Sequence, residues 1–410
     1  MRTTLLSICL LLVVAAQAAQ NYFPPPDSKG GWREAKEPAA ARKLAGVDTR
    51  RLDQAFEYAQ RSSQHGGLLV VRHGYLVYER YYGKGNRDAN PTMASVGKAF
   101  VSVACGIMLD ERKADFPDGL DQKVFTQKYL PQAFPLDDSR KAEIRLGHLL
   151  SMAAGLRGEG SNPGFVNGMP GPLPPLTQPR DPNLDQDMAA LRTPLWTTPG
   201  GGYAYASTSP HIASIVLRNI TGKEVRDYLD EKLAQPIGFG EWGWMKRAGG
   251  KPLPHNPGGG GVAVHSTDAV RFAYLLLHQG AWAGRQIVPA SYVQALSRPS
   301  PYQKHAPYSL MLEVNEDGHV AGAPRDAYFK SGAGGFGIYV IPSLDMVIYK
   351  MAGNDSQYDP METGLKQEYP YDGSRDQWKP APHTQFSDGP IGVDDGVRRV
   401  LEMVVASVIP

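Results

Sequence analysis

The sequence predicts an α+β fold: an antiparallel β-sheet flanked by helices from the two ends of the chain, with a helical subdomain inserted into it. Three observations predict it. Two β-rich runs around a Gly-containing turn stand near the N-terminus, a block of helical patterns fills the middle, and strands followed by one amphipathic helix end the chain. A sheet begun at one end and completed at the other must close around whatever lies between.

The first residues are set apart from this fold. Behind Arg2, Leu5 to Ala16 form an apolar run of about a dozen residues. Ala16-Gln17-Ala18 then offers the small-x-small pattern of a signal peptidase site, so residues 1–18 are expected to direct export and be removed. The run is shorter than the roughly 18 to 20 residues a spanning helix needs, so no stable membrane span is expected afterwards. Of the two cysteines, Cys9 falls in this segment. That leaves Cys105 as the one thiol and no intramolecular disulfide.

Residues 19–44, rich in Pro and charge, are expected to be an extended arm. Asp48 to Arg61 follows as a helix, with Leu52, Ala55, Phe56 and Ala59 at helical spacing. Leu68 to Arg72, the turn His73-Gly74 and Tyr75 to Tyr82 make a hairpin. Ala94 to Leu109 is apolar nearly all round, the mark of a buried helix. Ile144 to Leu156, His211 to Thr221 and Val225 to Leu233 also read as helices. Arg157 to Asp187 is Pro-, Gly- and Asn-rich without periodicity, and its length suggests a functional surface loop. Ser266-Thr267-Asp268 is expected to cap a helix reaching Gln279. Strands are expected at Tyr308–Val314, Asp326–Lys330, Gly337–Ile341 and Met346–Met351, and an amphipathic helix at Val393–Val408. Between the last two, Gly353 to Pro390 carries Tyr358, Tyr369, Tyr371 and Trp378 and is read either as a lid or as an excursion packed on its own rings. The expected catalytic module is then 45–410, with an α/β part at 45–90 and 262–410 and a helical part at 91–261.

Composition narrows the function. The chain has 410 residues, 42% of them hydrophobic and 20% charged, which is long enough for a substantial core. Forty-three Lys and Arg against 41 Asp and Glu leave a net charge of +2. That gives no electrostatic reason to expect nucleic acid or an anionic membrane surface, so a small molecule fits better. The 45 Gly and 34 Pro point to long loops around a regular scaffold. The ten histidines show no zinc-binding spacing, and no metal or cofactor is expected. Gly332-Ala333-Gly334-Gly335-Phe336-Gly337 matches a dinucleotide fingerprint in letters, but it leads into a strand rather than a helix. There is no Gly-x-Ser-x-Gly elbow of an α/β-hydrolase, and the sequon Asn219-Ile220-Thr221 carries little weight.

Three clusters could carry chemistry. Ser95-Val96-Gly97-Lys98 opens the buried helix, where residues three apart share a face, so the Lys98 amine can reach the Ser95 hydroxyl. A serine needs such a neighbour to act as a nucleophile, and a helix start offers N–H groups to a developing anion. Taken alone, the pair fits an N-cap serine with a solvated lysine equally well. Pro199 to Ser207 places Tyr205 and Ser207 two apart on a turn before a helix. Lys330-Ser331-Gly332, followed by Ala333-Gly334-Gly335, runs along a strand edge where small residues admit a substrate.

In this order and on these elements, the clusters resemble the serine β-lactamase and penicillin-binding-protein superfamily, in particular the branch of class C β-lactamases and related esterases and amidases. The markers of that family are Ser-x-x-Lys, Tyr-x-Asn or Tyr-x-Ser, and Lys-Thr-Gly or His-Thr-Gly. Leu146 to Leu156, Ser266-Thr267-Asp268 with its helix, and Gly335 to Pro342 with Leu344-Asp345 are also similar to family segments. The resemblance spans roughly residues 48 to 352 and the last helix. It implies a β-lactamase/transpeptidase-like fold, Ser95 as the acylated nucleophile, Lys98 as its proton partner and Tyr205 as general base and acid, with two lysine cations favouring the Tyr205 phenolate. It further implies that Ser207 orients Lys98 and contacts substrate, that Lys330, Ser331 and Gly332 line the strand side, where Lys330 and Ser331 meet a substrate carboxylate or stabilise the tyrosine anion, and that the N–H groups of Ser95 and Ala333 form the oxyanion hole.

Departures from the pattern bear on substrate. Ser207 stands where the lactamases have Asn and cannot offer an amide's paired donor and acceptor. Ser331 stands where Thr is usual, the class C pattern has one more residue before its Gly-Gly, and no acidic deacylating residue of the class A kind is evident. The expected function is an exported, periplasmic or secreted serine hydrolase acting on a small amide or ester. The alternative is a penicillin-binding-protein-like relative that acylates slowly or not at all and works by recognising a ligand or peptidoglycan peptide. The sequence sets no oligomeric state.

Overall fold

The hairpin forms where the β-rich runs place it, as β1 (Gly66–Arg72) and β2 (Tyr75–Tyr82). His73 and Gly74 both take positive φ, 51° and 72°, the backbone that a two-residue turn between twisted strands requires. The computed structural model describes residues 22–158, 185–248, 250–366, 369–384 and 396–409. The expected signal segment and most of the 157–187 loop therefore lie outside the described residues.

Four more strands complete a six-stranded sheet: β3 (Glu313–Val314), β4 (Tyr328–Gly332), β5 (Phe336–Ile341) and β6 (Met346–Met351). Its order is β2-β1-β6-β5-β4-β3, antiparallel throughout. The two ends of the chain meet at β1 and β6, from Gly67 opposite Met351 to Arg72 opposite Met346.

Strand alternation sorts the side chains into two cores. The back face, with Leu68, Val70, Phe329, Tyr339 and Ile348, packs on the helices α1 (Pro38–Ala45), α2 (Thr49–Ser62) and the C-terminal α10 (Arg398–Val405). The front face, with Leu69, Val71, Tyr328, Ile338, Val340, Val347 and Tyr349, packs on the main core with α3 (Gly97–Glu111), α6 (Thr208–Thr221) and α8 (Ser266–Leu277). Phe100 of α3 stacks on Phe272 of α8 with ring centroids 3.9 Å apart, fastening the buried helix to the one that covers the sheet. The same parity puts Lys330 and Gly332 on the front with Tyr328, and Ser331 on the back with Phe329.

Several expected elements differ. The arm is extended only in part: residues 38–45 are α1, and Glu34 bridges Leu76 in parallel. Its first residues are strapped to α8, where Arg271 donates to the carbonyls of Pro24 and Pro25 at 2.9 and 2.6 Å and pairs with Asp27 at 2.6 Å. Phe23 sits among Tyr274, His278 and Trp282. The segment Ile144–Leu156 is helical only over α4 (Leu146–Leu150), because Met152 and Gly155 take left-handed backbone at φ 58° and 75°. Ser266 does not cap α8. It lies inside the helix, bonding Tyr81 and the Arg87 carbonyl, and His265 is the cap position without a side-chain bond. Of Tyr308–Val314, only β3 joins the ladder, since Met311 turns left-handed at φ 73°.

The helix read at Val225–Leu233 is α7 (Val225–Leu229), which continues through a π turn at Asp230–Ala234. Short helices such as α5 (Gln186–Leu191) and α9 (Ala290–Leu296) are too brief to show periodicity in the sequence. The expected start of the last helix, Val393, lies outside the described residues. No helix among the described residues is long and apolar enough to cross a membrane.

Candidate active site

Ser95 lies in a 3-10 turn, Ala94–Val96, which runs directly into α3. The residue before it, Ala94, holds φ 46°, a conformation that costs a non-glycine residue roughly 1–3 kcal/mol and persists only where its surroundings enforce it. One turn along, Lys98 is fully buried. Its Nζ donates to Ser95 Oγ at 2.8 Å, to Ser207 Oγ at 2.9 Å and to the Gly259 carbonyl at 2.5 Å. Three oxygens match the three donors of an ammonium. The i, i+3 spacing and the turn before α6 thus bring Ser95, Lys98 and Ser207 together.

Tyr205 is 3% exposed, and its hydroxyl accepts from Lys330 Nζ at 3.2 Å. Lys98 and Lys330 flank its ring, 4.9 and 5.0 Å from the centroid. Both cations and the phenol therefore share one buried cleft between the front of β4 and the start of α3. Gly332 allows this approach: a Cβ there would stand 2.3 Å from the Met93 carbonyl and 3.2 Å from Ser95 N. Ala333, exposed at the turn after β4, borders the same place.

Ser331 is where expectation and geometry part. Strand alternation turns its hydroxyl to the back of the sheet, where it donates to Glu313 Oε1 at 3.0 Å. Arg398 of α10 holds the other carboxylate oxygen of Glu313 at 2.8 Å. A hydroxyl engaged behind the strand does not reach a substrate carboxylate in front of it. Only the main chain of Ser331 is left to line the cleft. The letters Gly332 to Gly337 form the β4–β5 hairpin turn rather than a nucleotide loop.

The site also uses residues the motifs did not single out. The carbonyl of Gly259 grips Lys98 from a loop that needs glycine: a Cβ on Gly260 would meet the Ala94 carbonyl at 2.5 Å. Gly258 N donates to His211 Nδ1 at 3.1 Å, and His211 Nε2 meets Asp187 at 3.0 Å, which fixes the Nε2–H tautomer. The run of four glycines at 258–261 was the available signal. Of the 353–390 excursion, Tyr358 and Tyr371 meet His65 edge-on, Tyr369 packs on Tyr358, and Arg375 lies over Trp378. These rings serve one another and His65. Among the described residues no group of three or more His, Cys, Asp or Glu side chains is placed to hold a metal.

The Asp187 network makes the helical part sensitive to acid. Burial alone would push the Asp187 carboxyl up, but the His211 hydrogen bond and the Arg218 charge hold it below the ordinary carboxylate value. A depressed carboxyl stabilises the fold above its unfolded pKa, near 4, and that contribution is lost as pH falls through the lower folded value. Asp187→Asn is expected to be less stable than the parent by about 1–3 kcal/mol at pH 6. The gap in Tm should narrow toward pH 3; a gap constant across that range would show that the charge on Asp187 contributes nothing.

The model of the family described as Beta-lactamase matches residues 52–363. Esterase EstB of Burkholderia gladioli is 29% identical over 215 residues, 48% of this chain. The chain spans about half, 51%, of the length of that relative. A structure described as a beta-lactamase, from Bacteroides dorei DSM 17855, superposes with a TM-score of 0.59 at 22% identity, over 75% of this chain and 91% of its own. One described as a 6-aminohexanoate-dimer hydrolase, from Bacillus anthracis, gives 0.59 at 20% identity, over 83% and 88%. At such identities the likeness is one of fold, mixed helix and antiparallel sheet with the same overall layout.

Proposed function

The chain belongs to the beta-lactamase family, and from that premise we propose that it is an exported serine hydrolase that cleaves a small ester or amide through an acyl-enzyme on Ser95. The observation that carries the reading is Lys98 Nζ at 2.8 Å from Ser95 Oγ, with Tyr205 held beside them by Lys330. In this reading Ser95 Oγ attacks the substrate carbonyl carbon while its proton passes to the Tyr205 phenolate, whose negative charge is held beforehand by Lys98 and Lys330, leaving Tyr205 as the neutral phenol. The N–H groups of Ser95 and Ala333 take the tetrahedral oxyanion. Collapse breaks the bond to the leaving group, which takes the proton from Tyr205. Water repeats the sequence on the acyl-enzyme and frees Ser95.

Esters with uncharged acyl groups fit best. The Ser331 hydroxyl is committed to Glu313 behind the strand, Lys330 is committed to Tyr205, and the curated relative is an esterase by name. The test is intact mass spectrometry after a fluorophosphonate and after benzylpenicillin, with turnover of a nitrophenyl ester and of a cephalosporin. A fluorophosphonate adduct on Ser95 and ester turnover well above cephalosporin turnover are expected. No adduct from either reagent, with no turnover, would leave recognition without catalysis as the reading.

A further inference from the structure

The turn that carries Ala333 is held by a residue outside the three motifs, and we propose that Gln357 is a positioning residue for the oxyanion hole. The inference rests on the acyl-enzyme reading, which gives the N–H of Ala333 its task.

The turn spans Gly332 to Gly335, closed by Gly335 N donating to the Gly332 carbonyl at 3.0 Å. Across a trans peptide the carbonyl of Gly332 and the N–H of Ala333 point in opposite directions, so this bond sets the direction of the donor. Gly334 has φ 89°, the third-position conformation of a type II turn; a type I turn has the central peptide flipped by about 180° and needs no positive φ there. The central peptide, Ala333–Gly334, is thus the part that can flip, and both it and the peptide that follows are held from outside the turn. Gln357 Nε2 donates to the Ala333 carbonyl at 2.7 Å, and Gly353 N donates to the Gly334 carbonyl at 3.2 Å. The amide of Gln357 is itself oriented, because its Oε1 accepts from Asn354 N at 2.9 Å.

The same residue reaches the other half of the hole. The Gln357 main-chain carbonyl accepts from Thr92 N at 2.9 Å, three positions before Ser95. One residue therefore ties the segment carrying the Ser95 N–H to the turn carrying the Ala333 N–H. Its own position is anchored two residues away. Asp355 bonds His65 Nε2 at 3.0 Å and Gln64 Nε2 at 2.9 Å and pairs with Lys84. The start of the 353–390 excursion thus braces the floor of the site from outside.

The test compares wild type with Gln357→Leu, which removes the donor, and Gln357→Glu, which keeps the size but sets a carboxylate against the Ala333 carbonyl. The measurements are kcat and KM for a nitrophenyl ester, the inhibition constant of an aryl boronic acid whose tetrahedral adduct on Ser95 places an oxygen in the hole, and the ester carbonyl stretch of the acyl-enzyme by infrared difference. Removal of an oxyanion donor costs about 10²–10³ in kcat, and misaiming one costs less. Gln357→Leu is expected to lower kcat about 10-fold and Gln357→Glu more, with KM little changed. Boronate affinity should fall by a similar factor, and the stretch should move to higher wavenumber at unchanged Tm. Unchanged kcat and boronate affinity in both variants, or a loss confined to KM or Tm, would overturn the role of Gln357. A wild type that forms no Ser95 adduct would instead overturn the acyl-enzyme reading beneath it.

Discussion

Replacing Ser95 by alanine is expected to lower kcat/KM for a nitrophenyl ester by about 10⁴-fold or more, with the fluorophosphonate adduct gone from the intact mass. The size follows from what remains. Without the Oγ no acyl-enzyme forms, and the cleft keeps only its oxyanion donors and binding, which in serine hydrolases support about 10³–10⁴-fold over water. Stability should fall only slightly. Lys98 loses the oxygen at 2.8 Å but keeps Ser207 Oγ and the Gly259 carbonyl, so its buried charge is still solvated by the protein. A Tm within a few degrees of the parent, together with lost turnover, separates a missing nucleophile from a collapsed site. A Ser95→Ala enzyme that still turned over the ester would place the chemistry elsewhere.

How much of this site could be read from letters depends on the range of the interaction. Ser95 and Lys98 are three apart on one helix, and Tyr205 and Ser207 are two apart on one turn, so local geometry alone joins each pair. Lys330 was legible because a lysine before small residues on a strand is a compact pattern. The orientation of Ser331 is decided by strand parity, which the sequence allowed one to count. What turned its hydroxyl into a committed donor is Glu313, 18 positions away before β4, and Arg398 on the last helix, two charges that share no local spacing with it. Gly259, His211 and Asp187 are hidden for the same reason. Each acts through a backbone group or a partner 24 to 161 positions distant.

The fold divides similarly. The hairpin, the buried helix and the strands β5 and β6 are legible as local runs of apolar or β-rich residues, buried at nearly every position in the last three. Residues 38–45 became a helix although Pro38 and the charges around it read as an arm, because Pro is well placed at the first helical turn and Ala41 and Ala45 pack against the back of the sheet. In contrast, the helix read through Leu156 stops at Leu150. The left-handed residues Met152 and Gly155 bend the chain so that Met152 can bond Ala204 and Ala206 through its carbonyl and sulfur, one position on either side of Tyr205. The site, in this instance, overrides the pattern that would continue the helix.

The bracketing of Tyr205 makes its replacement by phenylalanine the sharper probe of mechanism. Tyr205→Phe keeps the ring between Lys98 and Lys330, so the two cation contacts near 5 Å persist and the cleft should keep its shape. It removes only the oxygen that accepts from Lys330 at 3.2 Å. If that oxygen moves the proton, kcat should fall by about 10²–10⁴-fold, the usual worth of a positioned acid or base, with KM little changed. The pH profile should also lose the limb that reports the phenol. Fluorophosphonate labelling of Ser95 should slow in parallel, because deprotonation of Ser95 limits that step as well. Lys98 offers the competing assignment, since its Nζ is the closer group to Ser95 Oγ. Turnover and pH profile unchanged in Tyr205→Phe, but lost in Lys98→Met, would pass the base from the phenol to the lysine, and Tyr205 would then be a wall between two cations.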